Sequence, residues 1–169
     1  YKFIDHLAEN KDPGLFFEDA VNRWHTTPSK GPIVSSNPCG EFVRPVNEAC
    51  NLASINLLKF LNNDGSFDTN RFRHVVSIMI TAMDILIDRS HFPTPKIKES
   101  SRNYRPLGLG YTNLGAMLMA KGLPYDSEGG RNYAAKITAL LTGEAYLQSS
   151  ILAQFKGPFA GYVADSGAM

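Results

Sequence analysis

Cys50-Asn51-Leu52-Ala53-Ser54-Ile55-Asn56-Leu57 decides the fold, because the run fits two periods. Leu52, Ile55 and Leu58, with Leu57 and Leu61 beside them, suit a helix; Cys50 to Leu57 alone suits a short buried strand. We read the first half of residues 49–60 as strand. Downstream, Asn62-Asn63-Asp64-Gly65 is a turn. Asp68 then caps a long helix reaching about Arg89, with Phe72, Val75, Met79, Met83 and Leu86 along one face. Ile78, Ile80, Ile85 and Ile87 widen that stripe, which predicts a mostly buried helix. Pro93 and Pro95 break the chain, and Arg105-Pro106-Leu107-Gly108-Leu109-Gly110-Tyr111 reads as a strand whose glycines mark close approach of backbone or side chains. A helix over 112–121 follows, stopped by Gly122-Leu123-Pro124. Asp126 or Ser127 caps a last long helix through Tyr133, Ile137, Leu141, Tyr146 and Phe155, ended by Gly157-Pro158. Strand, helix, strand, helix is an α/β pattern, with room for partner strands beyond this segment. No internal repeat or low-complexity tract interrupts it.

Upstream, Asp12-Pro13-Gly14 opens a short helical segment in which Asp12 caps and Pro13 takes the first position, with Leu15, Phe16, Ala20, Val21 and Trp24 at helical spacing to about His25. Residues 26–46 carry Pro28, Gly31, Pro32, Pro38, Gly40 and Pro45, too many constraints for a regular element. Loops of this length in compact domains are uncommon unless functional, so 35–44 is the first place to look for chemistry. In an extended loop side chains two apart point the same way, so Asn37, Cys39 and Glu41 would present an amide, a thiol and a carboxylate to one site. Pro38 and Gly40 stiffen the loop and remove bulk between them. On spacing alone, a turn with a buried thiol competes with this reading.

The 169 residues, 43% hydrophobic and 20% charged, are globular in composition and fit one domain or part of one. Seventeen Lys and Arg against sixteen Asp and Glu leave a net charge of +1 without a single-sign run, which argues against a dedicated nucleic-acid or anionic-membrane surface. The longest apolar stretch, 75–87, is interrupted by Ser77, Thr81 and Asp84 and is shorter than the ~20 residues a membrane span needs. Tyr1-Lys2-Phe3-Ile4-Asp5-His6 has no basic region followed by an apolar run, so a cytoplasmic location is expected. Two cysteines in a reducing compartment do not make a disulfide scaffold; catalysis, redox exchange or burial remain open for them. The chain starts at Tyr1 and stops at Met169 without a capping element, as expected of a piece of something larger.

Gly108-Leu109-Gly110 fails as a dinucleotide loop, since the third glycine would fall on Asn113. His6, His25, His74 and His91 lack ligand spacing, so no metal site is expected. Tyr104, Tyr111, Tyr125, Tyr133 and Tyr146 are read as core residues with hydrogen-bonded hydroxyls.

Asn37-Pro38-Cys39-Gly40-Glu41 followed by Cys50-Asn51-Leu52-Ala53-Ser54-Ile55-Asn56-Leu57 resembles the catalytic segment of ribonucleotide reductase large subunits, most closely the adenosylcobalamin-dependent class II branch. Arg105 to Tyr111, Gly122-Leu123-Pro124-Tyr125-Asp126-Ser127, Gly143-Glu144-Ala145-Tyr146 and Gly157-Pro158-Phe159 resemble that family in the same order. The resemblance implies an α/β barrel of ten strands, of which residues 1–169 are part, with a central finger loop at about 33–46 carrying a radical cysteine. It places Cys39 as that cysteine, forming a thiyl that takes the 3′-hydrogen of a ribonucleotide, expected to be a diphosphate. Glu41 would be the general base on the 3′-hydroxyl, and Ser36, Asn37 and Gly40 would contact substrate. Cys50, eleven residues after Cys39, matches the second cysteine, half of a redox pair whose partner comes from a strand upstream of this chain. Alternatively, Cys50 is an apolar side chain on a buried strand.

Adenosylcobalamin is the implied cofactor, although no residue here shows a cobalt-ligand pattern. A thioredoxin-like reductant and the missing reductase segments, or a partner chain supplying them, are the implied partners. Two other readings stand beside this one: a non-catalytic fragment or assembly subunit of a split reductase, and a helical interaction module whose loop cysteine is structural.

Overall fold

The computed structural model describes residues 2–10 and 14–169, and the chain divides into two compact units, Glu48–Ala160 and Tyr1–Asn47 with Gly161–Met169. Asp12 and Pro13, the expected start of the first helical segment, lie outside the described residues.

The larger unit is organised by two parallel strands. In it β1 (Asn51–Asn56) pairs with β2 (Leu107–Thr112), Leu52 opposite Gly108 and Asn56 opposite Thr112. The strand reading of the first half of 49–60 holds. The second half instead closes into a 3-10 turn, Leu57–Phe60, begun by the Asn56 side chain accepting from the Leu58 N–H at 3.1 Å. Parallel strands cannot be joined by a tight turn, so the chain crosses over through two helices. These are α3 (Thr69–Arg89) and α4 (Pro95–Tyr104), numbered after the two helices of the smaller unit.

Asp68 caps α3 as expected, accepting from the Arg71 N–H at 3.0 Å. The reading of Pro93 and Pro95 as breakers missed α4. Pro95 stands in its first turn, where a missing N–H costs nothing, and Thr94 Oγ1 caps it by accepting from the Ile97 N–H. Two helices complete the unit, α5 (Leu114–Ala120) and α6 (Glu128–Lys156). The helix expected over 112–121 begins later, because Thr112 still belongs to β2 and Asn113 turns the chain at a φ of 65°. Gly122, at a φ of 67°, ends it, and the Leu123 N–H returns to the Leu118 carbonyl at 2.9 Å. Ser127, not Asp126, caps α6, accepting from the Gly130 N–H at 3.0 Å.

Helix α3 lies across both strands and α6 packs along α3. Ile55, Leu57, Phe72, Val76, Ile80 and Ile137 are buried together, with Leu107, Leu109 and Tyr111 of β2 packed against them. Asn51 Nδ2 donates to the Met83 carbonyl at 2.8 Å and so ties strand to helix. The buried stripe of α3 is Phe72, Val76, Ile80, Met83 and Ile87, which corrects the wider face read from sequence. Residues six or thirteen positions from Phe72 fall on the far side of a 3.6-residue turn, so Ile78 and Ile85 are about half exposed. Phe72 is fully enclosed, its ring edge-on to Phe60 at 5.2 Å.

The tyrosine expectation holds in part. Tyr111 shares a 2.8 Å hydrogen bond with Thr138, but Tyr125 and Tyr146 are exposed by 70% and 67%. The Tyr133 hydroxyl is buried without a hydrogen-bond partner among the described residues, and burial pushes its pKa up. The Lys121 ammonium stands 5.0 Å from the centre of its ring.

Arg105 follows α4 at a φ of 48°, a left-handed conformation costing a non-glycine residue roughly 1–2 kcal/mol. Its guanidinium donates to Asp84 and Asp88 of α3, each at 2.7 Å, and Lys156 at the end of α6 donates to Asp84 at 3.1 Å. Hydrogen bonding from Arg105 holds the Asp88 carboxyl below its usual 3.8. For Asp84, burial pulls upward, but the bonds from Arg105 and Lys156 outweigh it and this carboxyl too lies low.

In the smaller unit, α1 (Lys2–Asn10), α2 (Glu18–Asn22) and α7 (Tyr162–Asp165) accompany the long loop. A backbone without regular structure must find other partners for its polar groups. Here side chains supply them. Asn22 accepts from the Ile33 N–H at 2.9 Å and donates to the Ile33 carbonyl at 2.8 Å. His25 Nδ1 accepts from the Thr27 N–H at 3.1 Å, and the buried Asp165 accepts from the Ser29 N–H and hydroxyl at 2.8 and 2.6 Å.

Two outcomes follow for stability. Phe72→Ala should cost about 3–5 kcal/mol in urea unfolding, whereas Leu52→Ala, at a position 65% exposed, should stay within about 0.5 kcal/mol. Because the folded pKa values of Asp84 and Asp88 are depressed, their stabilisation is present above 3.8 and lost as pH falls through the folded values. The urea midpoint should therefore drop on acidification below about pH 5, and Asp84→Asn with Asp88→Asn should remove part of that drop. An unchanged slope would show that other carboxylates carry it.

Candidate functional site

The segment 35–44 forms a hairpin. Ser36 and Val43 make an antiparallel bridge, and the Asn37 N–H donates to the Phe42 carbonyl at 3.2 Å. Between them Asn37-Pro38-Cys39-Gly40 is a β-turn, closed by the Gly40 N–H donating to the Asn37 carbonyl at 3.0 Å. Pro38 stands second, where its ring pre-sets φ, and Gly40 adopts a φ of 84° that a side chain would oppose. The extended geometry expected for 37–41 is therefore corrected: the X-Pro-X-Gly sequence bends the chain at Cys39 instead of alternating along it.

Cys39 stands in the third position of this turn, exposed, with a free thiol. The competing reading, a turn with a buried thiol, is right about the turn and wrong about the burial. Glu41 is exposed, and among the described residues no hydrogen bond or ion pair engages its carboxylate. Asn37 has a part that sequence reasoning missed. Its Oδ1 accepts from the Phe42 N–H at 2.9 Å and so helps to close the hairpin. The signal was present, since asparagine is a preferred first residue of such turns. Ser36 Oγ donates to the Asn37 carbonyl at 2.9 Å.

In the larger unit, Cys50 immediately precedes β1 and is half-buried. Successive strand side chains alternate between faces, so Cys50, Leu52 and Ser54 share the face opposite α3, together with Gly108 and Gly110 of β2. On this face both Leu52 and Ser54 are exposed. Cys50 Sγ lies 3.8 Å from the Asn51 carbonyl as a weak donor.

A cleft of about 430 Å³ in the smaller unit is lined by Val21, Trp24, Ile33, Val43 and Arg44 among others, but by none of Ser36, Asn37, Cys39, Gly40 or Glu41. Among the described residues no group of three or more His, Cys, Asp or Glu side chains is placed to hold a metal ion, and no helix is long and apolar enough to cross a membrane.

Comparison with known proteins places this arrangement. The family model "Ribonucleotide reductase, barrel domain" matches residues 2–168. A vitamin B12-dependent ribonucleotide reductase of Streptomyces clavuligerus is 52% identical over 159 residues, covering 92% of this chain and 16% of that protein. A vitamin B12-dependent ribonucleoside-diphosphate reductase of Mycobacterium tuberculosis is 38% identical over 151 residues, covering 89% of this chain and 22% of its own length. In three dimensions the chain superposes on the Actinobacillus ureae class Id ribonucleotide reductase alpha subunit with a TM-score of 0.74 at 24% identity, covering 96% of this chain and 32% of that one. The chain thus spans a minor part of the proteins it matches, and by its sequence and its mixed helix-and-strand fold it belongs to the ribonucleotide reductase barrel-domain family.

Proposed function

We propose that residues 1–169 are the central part of a reductase catalytic domain, a ten-stranded barrel in which residues 33–46 are the finger loop. The complete protein would convert ribonucleoside diphosphates to 2′-deoxyribonucleotides in the cytoplasm. One observation carries this reading. The cysteine that family resemblance singles out stands exposed at the bend of a hairpin closed by its own neighbours, where a rigid projection would present a thiol to substrate.

Cys39 would give up its hydrogen atom, and the resulting thiyl would take the 3′-hydrogen of the ribose. Adenosylcobalamin, named in the resemblance and matching the vitamin B12 dependence in the relatives' names, would supply the initiating radical when bound. An exposed thiol fits what such a cofactor requires of this chain. Glu41, exposed two residues on, would accept the 3′-hydroxyl proton. Asn37 keeps its amide nitrogen without a hydrogen-bond partner among the described residues, although its oxygen is engaged, so it can still donate to the sugar. Ser36 and Gly40 would complete the contact, Gly40 by letting backbone approach closely.

Cys50 would supply reducing equivalents with a second thiol from outside this segment. Two thiols lose two electrons and two protons and become a disulfide. The ribose loses its 2′-hydroxyl as water, and a thioredoxin-like protein restores the dithiol. The open face of the β1–β2 pair supports this placement, because it leaves Cys50 on the side that the helices do not cover. Further walls for a substrate cavity would come from the remaining segments of the protein.

In the complete protein, Cys39→Ser should abolish deoxyribonucleotide formation while leaving nucleotide binding and the circular dichroism spectrum unchanged. Glu41→Gln should slow turnover by about 10²–10⁴-fold. Normal turnover by Cys39→Ser would refute the assignment.

A further inference from the structure

Gly108 of β2 is a glycine for want of space. A methyl group built on its Cα would lie 2.6 Å from Leu52 Cδ2, 3.0 Å from Cys50 Sγ and 3.7 Å from the Asn51 carbonyl oxygen. The two shortest distances are inside van der Waals contact, which for carbon pairs is about 3.5–4.0 Å. Its backbone is not in the left-handed region, so conformation alone does not demand glycine here. Gly110, two residues on and on the same face, provides the contrast. Its missing methyl would meet only Ser54 Oγ, at 3.9 Å, an ordinary contact.

The two crowded neighbours differ in how they can yield. Leu52 ends in a flexible side chain that is largely exposed and can swing into solvent. Cys50 has a single rotatable bond between backbone and sulfur, so Sγ gives the few tenths of an ångström that a methyl group at 108 would require only by turning about that bond or by parting the strands. Register fixes the opposition, since Leu52 faces Gly108 across the parallel pair and Cys50 shares the side of Leu52.

We propose that Gly108 is a positioning residue for the Cys50 thiol: its absent side chain is the space that lets Sγ occupy its observed rotamer on the open face of the sheet. The proposal rests on reading Cys50 as half of the reducing pair, since only then does the rotamer matter to turnover. A side chain at 108 would turn the thiol and change its reach and reactivity.

The test uses the complete protein and follows iodoacetamide alkylation of the peptide carrying Cys50 by mass spectrometry, as a function of pH. Gly110→Ala should match the unsubstituted protein. Because Gly108→Ala alone could unfold the pair through the closer Leu52 contact, the decisive comparison is Leu52→Ala/Gly108→Ala against Leu52→Ala. The double variant should fold like the single one and alkylate at a rate changed by about fivefold or more, with a displaced pH profile. Equal rates and profiles in those two variants would overturn the proposal. Deoxyribonucleotide formation by Cys50→Ser separates the two claims. Normal turnover there would remove Cys50 from the reducing pair whatever the alkylation shows, whereas loss of turnover with unchanged alkylation would sink the role of Gly108 alone.

Discussion

Parallel pairing of β1 with β2 is the constraint on which the larger unit depends. Two strands running the same way require a crossover, and α3 supplies it while covering one face of the pair. Alternation then does the sorting. Asn51, Ala53 and Ile55 turn toward the helix, and Cys50, Leu52 and Ser54 turn away from it. A slip of one residue would exchange the two sets, burying Leu52 and exposing Ile55. The Asn51 bond to the Met83 carbonyl opposes such a slip, because it can form in only one register. Arg105 adds a second lock, joining the entry to β2 to α3 through Asp84 and Asp88.

The smaller unit reaches order by another route. Its loop has few regular backbone bonds, and Asn22, His25, Asn37 and Asp165 provide partners from their side chains instead. Such an arrangement costs side-chain entropy but frees the chain from helix or sheet geometry, which allows a tight bend to project. Cys39 is held at that bend by the chemistry of its neighbours: a proline before it, a glycine after it and an asparagine that reaches across to Phe42.

Much of this was legible in the residues. The cap at Asp68, the Gly122 stop and the strand of Asn51 to Asn56 could be read because each rests on local chemistry. Helix α4 was hidden, since a proline that breaks a helix internally also starts one, and only the backbone shows which role Pro95 plays. The inner face of α3 was misjudged because isoleucine is apolar wherever it stands. Ile78 and Ile85 point away from this chain's own core, and periodicity cannot distinguish a core side from a second apolar side. Around Cys39 the residue types pointed to the chemistry, but the local conformation did not follow from side-chain alternation, because alternation applies to strands and Pro38 begins a turn. Close approach at the glycines of β2 was legible, and Gly108 bears it out, but which residues it meets was not, since Leu52 and Cys50 reach it through register between segments more than fifty residues apart.

The central claim is that Cys39 faces the sugar of a ribonucleotide. A crystal structure of the complete protein with a bound ribonucleotide tests it most directly. The account predicts Cys39 Sγ at about 3–3.5 Å from C3′, with the Glu41 carboxylate within hydrogen-bond reach of the 3′-hydroxyl. A nucleotide seated with its ribose turned from Cys39, or with another side chain against C3′, would contradict it.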